Sequence, residues 1–282
     1  MRYCSLKING GILDKIVILK YFKPSKVNLT TEAEFLNNYL STHRDGYELV
    51  ELSSFKRLYS AFPDDDLIFK IDDDVVFIAN GTFERMVDEY FQNDHFILSA
   101  NVINHHSFSV LHAKMGLMKP FNIKNNYTLV LKNDKSKSNK SHTDSCLSDA
   151  KSWRLDPYCG GIAHESFLYN IYKNNFNLNS YNFSLFDINK DSYHQWRINF
   201  IAFRGKIANK MVFLYLNETS DEYILTVLIA KSYNRHAFAL GSSVVSHFSY
   251  SRDGQFQFLS KTDILDKYKK LSIDYFKIKT KI

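Results

Sequence analysis

The sequence predicts an α/β fold with a mostly parallel central sheet flanked by helices. Short, β-branched apolar runs of strand length alternate with longer amphipathic segments over the first hundred residues. The chain has 282 residues, 45% of them hydrophobic, which is enough to bury a substantial core. No clear linker and no internal repeat interrupts it, so we expect a single domain over residues 1–282.

The predicted elements of the first half follow one another in a regular order. Apolar runs predict strands in "KIVILKYF" (15–22), "YELVEL" (47–52), "LIFKI" (67–71), "VVFI" (75–78) and "HFILSANV" (95–102). A helix is predicted to begin in "TTEAEFLNNYL", where Thr31 and Glu34 have capping-box spacing. Another is predicted in "NGTFERMVDEYF", whose apolar residues recur at helical spacing and should face a core: Phe83, Met86, Val87, Tyr90 and Phe91.

The second half is less regular. Residues 132–146, "KNDKSKSNKSHTDSC", are polar and predict a mobile loop. "YCGGIAHESFLYNIYKNN" predicts a turn entering a helix, and "DEYILTVLIAKSY" a second helix. "INFIAFRG" and "HAFALGSSVVSHFSY" predict strands. The basic tail, residues 266–282, is partly amphipathic.

The net charge and the cysteine content indicate which ligands and which cellular compartment to expect. A net charge of +6 favours anionic ligands such as phosphates, acidic glycans or lipid headgroups, and no nucleic-acid-binding signature is present. Cys4, Cys146 and Cys159 show neither a metal-type cysteine spacing nor a disulfide framework, so we expect a reducing compartment and a packing role for Cys159. Without a signal peptide or a transmembrane-length run, the expected location is the cytoplasm.

Two aspartate triplets flank the strand "LIFKI". Asp64–Asp66 precede it and are most simply a solvated turn after Pro63. Asp72–Asp74 follow it, at the carboxyl end where ligands of open α/β sheets gather. A divalent cation, Mn²⁺ or Mg²⁺, would relieve repulsion between these neighbouring carboxylates; the alternative is a surface loop.

A strand of apolar residues running into Asp-x-Asp resembles the nucleotide-sugar-dependent glycosyltransferases with the GT-A fold. "KIDDDVVFI", "SANVIN", "INFIA" and "HFSY" are similar to segments of glycosyltransferase-like proteins of fungi, bacteria and viruses, over roughly residues 65–265. The resemblance implies that Asp72 and Asp74 hold the metal against the donor diphosphate, with Asp73 near the ribose or the metal.

Two downstream segments extend the resemblance. "CGGIAHESF" looks like the turn and helix start that border the acceptor in inverting members, which implies a role for Gly160 and Gly161. "SDEYILTVLIAKSYNRHAFALGSSVVSHF" looks like their acidic pair, helix and strand, ending at a third metal ligand, His247. The pair implies a general base, Asp221 or Glu222, but its order is reversed relative to many members, so the choice stays open. "HQWR" precedes the pair instead of following it, which argues against a processive polymerase.

The resemblance implies a metal-dependent, inverting, non-processive transfer of a sugar from a nucleotide-sugar donor, most simply a UDP-sugar. The acceptor would be a glycan or a lipid-linked glycan of bacterial surface polysaccharide synthesis. Residues 1–104 would bind the donor, and residues 105–265 would face the acceptor. Arg252 would clamp the diphosphate, Trp153, Tyr158 or Trp196 would stack on the acceptor sugar, and the basic tail would dock on the inner face of a membrane.

Simpler interpretations stand beside these. Asp221 and Glu222 can cap a helix, His247 can be a core histidine, the tryptophans can be core residues, and the tail an ordinary solvated helix. His105, His106 and His112 suggest a metal site, a donor-pocket border or merely a loop. Alternative functions are a sugar-nucleotide nucleotidyltransferase and a catalytically degenerate carbohydrate- or partner-binding module.

Overall fold

The computed structural model describes most of the chain. The described residues are 6–7, 11–20, 34, 38–39, 41, 45–52, 59, 62–125, 128–131, 142–148, 153, 156–214, 220–249 and 254–279. The chain separates into two compact units, one of Met1–Ile68 with Phe203–Arg235 (unit 1) and one of Phe69–Ala202 with His236–Ile282 (unit 2). The organisation as a single domain stays a prediction.

Ten strands and nine α-helices have bounds within the described residues. The strands are β1 Ile16–Lys20, β2 Tyr47–Glu51, β3 Leu67–Ile71, β4 Val75–Ile78, β5 Ile97–Ile103, β6 Phe121–Asn125, β7 Thr128–Leu131, β8 Phe186–Asp187, β9 Phe200–Arg204 and β10 Ala237–His247. The helices are α1 Thr82–Gln92, α2 His106–Lys114, α3 His142–Cys146, α4 Pro157–Lys173, α5 Gly205–Leu214, α6 Asp221–Tyr223, α7 Ala230–Tyr233, α8 Gln255–Leu259 and α9 Ile264–Lys279. A π-helix, Ile224–Ile229, connects α6 to α7, and a 3₁₀ turn covers Asn179–Tyr181.

The largest sheet has six strands and is mixed. Its order is β3-β9-β5-β10-β4, with β8 also paired to β10. β10 runs parallel to β5 but antiparallel to β4 and β8, and β5 runs antiparallel to β9. The expected mostly parallel sheet is therefore corrected to a mixed one within an α/β fold. All seven residues of β5 are buried, although one neighbouring strand is parallel to it and the other antiparallel. The apolar composition of such a strand therefore does not reveal the direction of its neighbours.

The apolar patterns located the other elements well. Strands were predicted at β1 to β5, β9 and β10, and helices at α1, α4 and the segment from α6 to α7. In α1, Phe83, Met86 and Tyr90 are buried, but Phe91 is 52% exposed, so the core-facing stripe is narrower than predicted. The β6–β7 hairpin and helix α2 were not predicted. The predicted helix start at Thr31 lies outside the described residues, although Glu34 is helical.

A disulfide corrects the expectation for the cysteines. Cys146, at the end of α3, is bonded to Cys159 in the first turn of α4, with 5.4 Å between their Cα atoms. The sequence showed only an odd, widely spaced set, because the closeness of these two helices is a tertiary feature. The predicted mobile loop over 132–146 is also corrected at its end, where residues 142–146 form α3; residues 132–141 lie outside the described part of the chain.

Helices α4 and α9 pack on one face of the sheet in unit 2. The Phe77 ring of β4 lies 5.7 Å from the Phe167 ring of α4 and 5.6 Å from the Tyr275 ring of α9. All three side chains are buried, within a core that continues to the end of β10. This packing fixes the ends of β4 and β10, where the predicted metal ligands lie.

The basic tail forms most of α9, and three of its lysines pair with acidic residues. Lys267 contacts Glu165 at 2.6 Å, Lys269 contacts Asp266 at 3.1 Å, and Lys270 contacts Asp274. These ion pairs are what a solvated helix shows, while docking on a membrane stays a prediction. Among the described residues, the helices do not combine the length and the hydropathy needed to cross a bilayer. The cytoplasmic location also stays a prediction, and the disulfide removes the cysteine argument for it.

Candidate metal centre

Three predicted ligands meet at the ends of three strands of the mixed sheet. Asp72 directly follows β3, Asp74 directly precedes β4, and His247 is the last residue of β10. The antiparallel register places His247 opposite Val75, after an irregularity at Ser246, so the histidine lies beside the aspartate turn. The Phe248 amide also donates a 2.9 Å hydrogen bond to the Asp74 carbonyl. Residues far apart in sequence are thus brought together by strand pairing.

The side chains of these three residues are close enough to share one ion. The distance from His247 Nε2 is 2.8 Å to Asp74 Oδ1 and 3.6 Å to Asp72 Oδ2. One donor atom from each residue lies within 4.8 Å of the other two. The His247 side chain is 5% exposed, whereas the two carboxylates are about a quarter to a third exposed. The cluster is therefore backed by protein at the imidazole and reachable from solvent at the carboxylates.

Asp72 is held by Lys70, which lies on β3, and by Asn199, which directly precedes β9. Its Oδ1 accepts from the Lys70 ammonium, and its Oδ2 accepts a 2.8 Å hydrogen bond from Asn199 Nδ2. Its backbone amide donates to the Asn199 carbonyl at 2.9 Å, and Lys70 Nζ also donates to the Ile198 carbonyl at 2.9 Å. The carboxylate is therefore oriented from both sides, as metal-binding carboxylates usually are.

Asp74 is favoured in its charged form. Burial alone would raise the pKa of Asp74, but the hydrogen bond and charge of His247, together with the Ser249 amide, lower the pKa overall. Ser249 donates from its amide at 3.2 Å and from its hydroxyl at 3.4 Å to Asp74 Oδ2. Oδ1, the oxygen nearest the imidazole, is thereby the one turned to the cluster.

The middle residue of the triplet differs from its neighbours. Asp73 is an exposed residue, and it does not belong to the cluster formed by Asp72, Asp74 and His247. Desolvation, followed by the charges of Asp74 and Asp72, raises the pKa of Asp73. The three residues of the other triplet, Asp64–Asp66, are exposed in a turn after Pro63, as predicted.

Sequence reasoning missed Asn199 and Lys70. Lys70 had a local signal, because residues two apart on a strand share a face, so Lys70 and Asp72 extend to the same side. Asn199 had none, since it reaches Asp72 only through the pairing of β9 with β3. Asn199 is 4% exposed, and its Oδ1 has no hydrogen-bond partner among the described residues. A buried acceptor oxygen beside Asp72 fits a site that takes a cation.

The predicted base residues belong to unit 1. Asp221 and Glu222 begin α6, which Ser220 caps by accepting from the Tyr223 amide at 3.1 Å. Asp221 Oδ2 accepts a 3.0 Å hydrogen bond from the Tyr59 hydroxyl, and its Oδ1 accepts from the Glu222 amide at 2.9 Å. A π-helix follows directly, a feature often found at functional sites. The helix cap is thus Ser220 and not the acidic pair, whose catalytic role stays a prediction.

The predicted acceptor residues are mostly engaged in packing. Trp153 is 1% exposed and Trp196 is 4% exposed, so neither ring offers an open face for a sugar. Gly160 and Gly161 are buried in α4 against α8. Tyr158 is half-buried, with its ring 4.8 Å from the Phe258 ring, and its acceptor role stays a prediction. Arg252, predicted to clamp the diphosphate, lies outside the described residues.

The three crowded histidines do not form a metal cluster within the described part of the chain. His105 directly precedes α2 and is buried, and His112 is buried inside that helix, with Nε2 2.8 Å from Asn101 Oδ1. Burial lowers the pKa of each of these two to about 3. His106 faces the Trp153 ring at 6.1 Å. The structure therefore favours a packing role for them.

The Asp72–Asp74–His247 cluster offers two carboxylate oxygens and one imidazole nitrogen to a cation. Comparison with models of known protein families found none that matches this chain, and comparison with curated proteins found no match either. The types of ligand atom limit which cations would bind. Carboxylates suit Mg²⁺ and Mn²⁺, whereas the imidazole is a ligand typical of d-block ions.

Proposed function

We propose that this chain is a divalent-cation-dependent glycosyltransferase of the GT-A type, which transfers a sugar from a nucleotide-sugar donor to a glycan or glycolipid acceptor. One observation carries the proposal: Asp72 and Asp74, expected to bind a cation at a strand end, and His247, added by the resemblance, have donor atoms within 4.8 Å of one another. The imidazole nitrogen suits Mn²⁺ better than Mg²⁺, which favours all-oxygen coordination.

The residues around the cluster have distinct parts in the proposal. Asp72 and Asp74 bind the cation from the turn between β3 and β4, and His247 binds it from the end of β10. Asn199 and Ser249 orient the two carboxylates. A bound cation supplies charge neutralisation for the departing diphosphate. An inverting mechanism also needs a general base, for which Asp221 or Glu222 is the candidate.

The first test is a thermal-shift assay with UDP, GDP, CDP and their sugars, each with and without Mn²⁺. We expect one nucleotide series to stabilise the protein only when Mn²⁺ is present, by about 2.7 kcal/mol at a ligand concentration of 100 Kd. Asp72→Ala and Asp74→Ala should each abolish this metal-dependent shift and the transfer of sugar to acceptor. Asp66→Ala is the matched control, because Asp66 lies in the exposed triplet and should leave both unchanged.

Other outcomes would redirect the assignment. Full activity in Asp72→Ala or Asp74→Ala would refute the metal site. Release of pyrophosphate from a sugar phosphate and a nucleoside triphosphate would support nucleotidyl transfer instead. Metal-dependent nucleotide binding without hydrolysis or transfer, over a broad acceptor panel, would support a binding module. Comparing Asp221→Asn with Glu222→Gln in the transfer assay identifies the base, since only the variant lacking it loses turnover.

A further inference from the structure

A second set of metal-binding side chains surrounds the Cys146–Cys159 disulfide in unit 2. Ligand atoms of His142, Cys146 and Asp156 lie within 4.8 Å of one another. The Sγ atom of Cys159 is bonded to that of Cys146, which makes it a fourth potential donor beside this group. Four potential ligands of three chemical types thus converge, and none belongs to the Asp72–Asp74–His247 cluster.

Two helix ends supply these ligands in pairs. His142 and Cys146 are the first and last residues of α3, spaced i and i+4, which puts their side chains on one face of the helix. Asp156 is the N-cap of α4, and Cys159 lies three residues further along, in its first turn. The two pairs, His-x₃-Cys and Asp-x₂-Cys, have the close spacings that structural zinc sites use.

We propose that the reduced chain binds one Zn²⁺ through Cys146 Sγ, Cys159 Sγ, His142 Nε2 and Asp156 Oδ2. Four protein ligands in a tetrahedral arrangement form a closed, structural type of site. Two thiolates and one carboxylate against Zn²⁺ leave a net charge of −1 shared over four ligand groups. Cysteine spacing alone did not predict this site, because two of its four ligands are His and Asp.

The surroundings fit this assignment. Asp156 Oδ1 accepts a 2.9 Å hydrogen bond from the Tyr158 amide, while Oδ2 lies 2.8 Å from His142 Nε2. The cap therefore orients the carboxylate and directs the second oxygen to the cluster, as groups behind metal ligands do. Cys146 and Cys159 are fully buried in an apolar cluster with Trp153, which closes the site to solvent on that side.

The disulfide and the zinc site are alternative states of the same residues. A phosphine reductant gives two electrons to the disulfide and takes an oxygen atom from water, leaving a phosphine oxide and two thiols. Zn²⁺ then displaces one proton from each thiol, and both protons leave to solvent. Two thiolates on one tetrahedral ion lie ~3.8 Å apart, given Zn–S bonds of about 2.3 Å, so the sulfurs separate from bonding distance to accept the metal.

The test uses Co²⁺ as a spectroscopic probe of the full chain. The protein is reduced with a phosphine, freed of reductant and metal without oxygen, and titrated with Co²⁺. We expect one equivalent to produce a thiolate-to-cobalt charge-transfer band in the near ultraviolet and the intense visible bands of a tetrahedral ion. One equivalent of Zn²⁺ should abolish both. The oxidised, disulfide-bonded chain should show neither band.

Variants assign the ligands. Cys146→Ser and Cys159→Ser should each lose about half or more of the charge-transfer intensity, whereas Cys4→Ser, which removes the third cysteine of the chain, should keep it. His142→Ala should shift the visible bands and weaken Zn²⁺ binding at least ~10-fold. Asp156→Asn should do the same while retaining a residue type that can cap α4, so loss of the helix cannot explain the result.

The zinc proposal and the proposed function can be tested independently of each other. The bands should be unchanged in Asp72→Ala, which removes a ligand of the other cluster. Absence of a charge-transfer band in reduced chain that remains folded by circular dichroism would overturn the zinc proposal. So would a band of undiminished intensity in Cys159→Ser. The comparison of reduced with oxidised wild-type protein decides the question even where a cysteine variant does not fold.

Discussion

At the scale of single residues, Asn199 connects the sheet to the candidate metal centre. It is buried, its side-chain amide holds Asp72 Oδ2 at 2.8 Å, and its backbone carbonyl accepts from the Asp72 amide. Asp72 is therefore fixed at both its main chain and its carboxylate by the residue that precedes β9. A carboxylate fixed in this way keeps its orientation before the cation arrives, which favours binding.

Replacing Asn199 should weaken metal binding without removing a carboxylate. Asn199→Ala leaves the Asp72 side chain free to turn away, so we expect affinity for Mn²⁺ to fall by about 10- to 100-fold. Electron paramagnetic resonance of free Mn²⁺ during a titration measures this directly.

The chain offers a matched control for Asn199. In unit 1, Asn209 Nδ2 donates to Asp64 Oδ1 at 2.8 Å, the same kind of contact at the same distance, within the exposed triplet. Asn209→Ala should leave the affinity for Mn²⁺ at the wild-type value. Equal affinities in Asn199→Ala and wild type would show that Asp72 needs no orientation, or does not bind the metal.

At the scale of elements, the contact between α4 and α8 explains the paired glycines. A Cβ atom on Gly161 would lie 2.7 Å from Phe258 Cε1 and 2.9 Å from Leu129 Cδ1. A Cβ atom on Gly160 would lie 2.7 Å from Gln255 Oε1. Since all three distances are shorter than real Cβ contacts, the glycines allow the two helices to approach. Close packing accounts for these residues without an acceptor sugar.

This account predicts that Gly161→Ala destabilises the protein. The alanine gains about 1 kcal/mol of helix propensity, but overpacking against the buried Phe258 ring costs about 1–3 kcal/mol. We expect a net loss of up to about 2 kcal/mol in the free energy of unfolding, measured with urea. A role in acceptor binding would instead raise the acceptor KM and leave the urea midpoint unchanged.

A double-mutant cycle supplies the control for this contact. Phe258→Leu shortens the side chain that the new methyl group meets, so Gly161→Ala should cost less in that background than in wild type. Additive losses in the double variant would show that the Phe258 ring is not what makes glycine necessary at position 161.

At the scale of the whole molecule, local patterns predicted most elements but not how strands pair. "LIFKI" became β3 with the predicted bounds, because an apolar run between two aspartate triplets defines both of its ends. The direction of the neighbours of β5 was missed, because pairing depends on residues far apart in the chain. Helix α3 was missed because it is five residues long and polar, and tertiary contacts with α4 hold it.

The candidate site was predictable to the same extent. Asp72 and Asp74 have a local signal at the end of a strand, and resemblance added His247. Asn199 could not be found, because it joins the cluster only through the pairing of β9 with β3. The cysteine pair was missed for the same reason, since Cys146 and Cys159 meet through packing of two helices. The sequence thus predicted the ligands that follow a strand directly, but not the residues that reach them through strand pairing or helix packing.

Three buried histidines make the stability of the protein depend on pH. Burial lowers the pKa of His105 and of His112 to about 3 and that of His164 to about 4, all below the ordinary value of 6.5. The unfolded chain therefore binds protons at these sites at pH values where the folded chain does not. This contribution to stability is complete above the unfolded pKa of 6.5, and it is lost as the pH falls below that value.

His112 provides the sharpest test of this dependence. Its surroundings are neutral: Nε2 contacts Asn101 Oδ1, and its ring lies 5.1 Å from that of Tyr181, a phenol whose pKa is itself raised by burial. Between about pH 6 and pH 4, the buried imidazole should contribute a slope of up to about 1.4 kcal/mol per pH unit to the free energy of unfolding. His112→Gln keeps a donor for Asn101 but has no titrating group, so its free energy of unfolding should fall less steeply on acidification. Urea denaturation over this range measures both slopes; equal slopes for the variant and wild type would show that His112 is not held neutral by the fold.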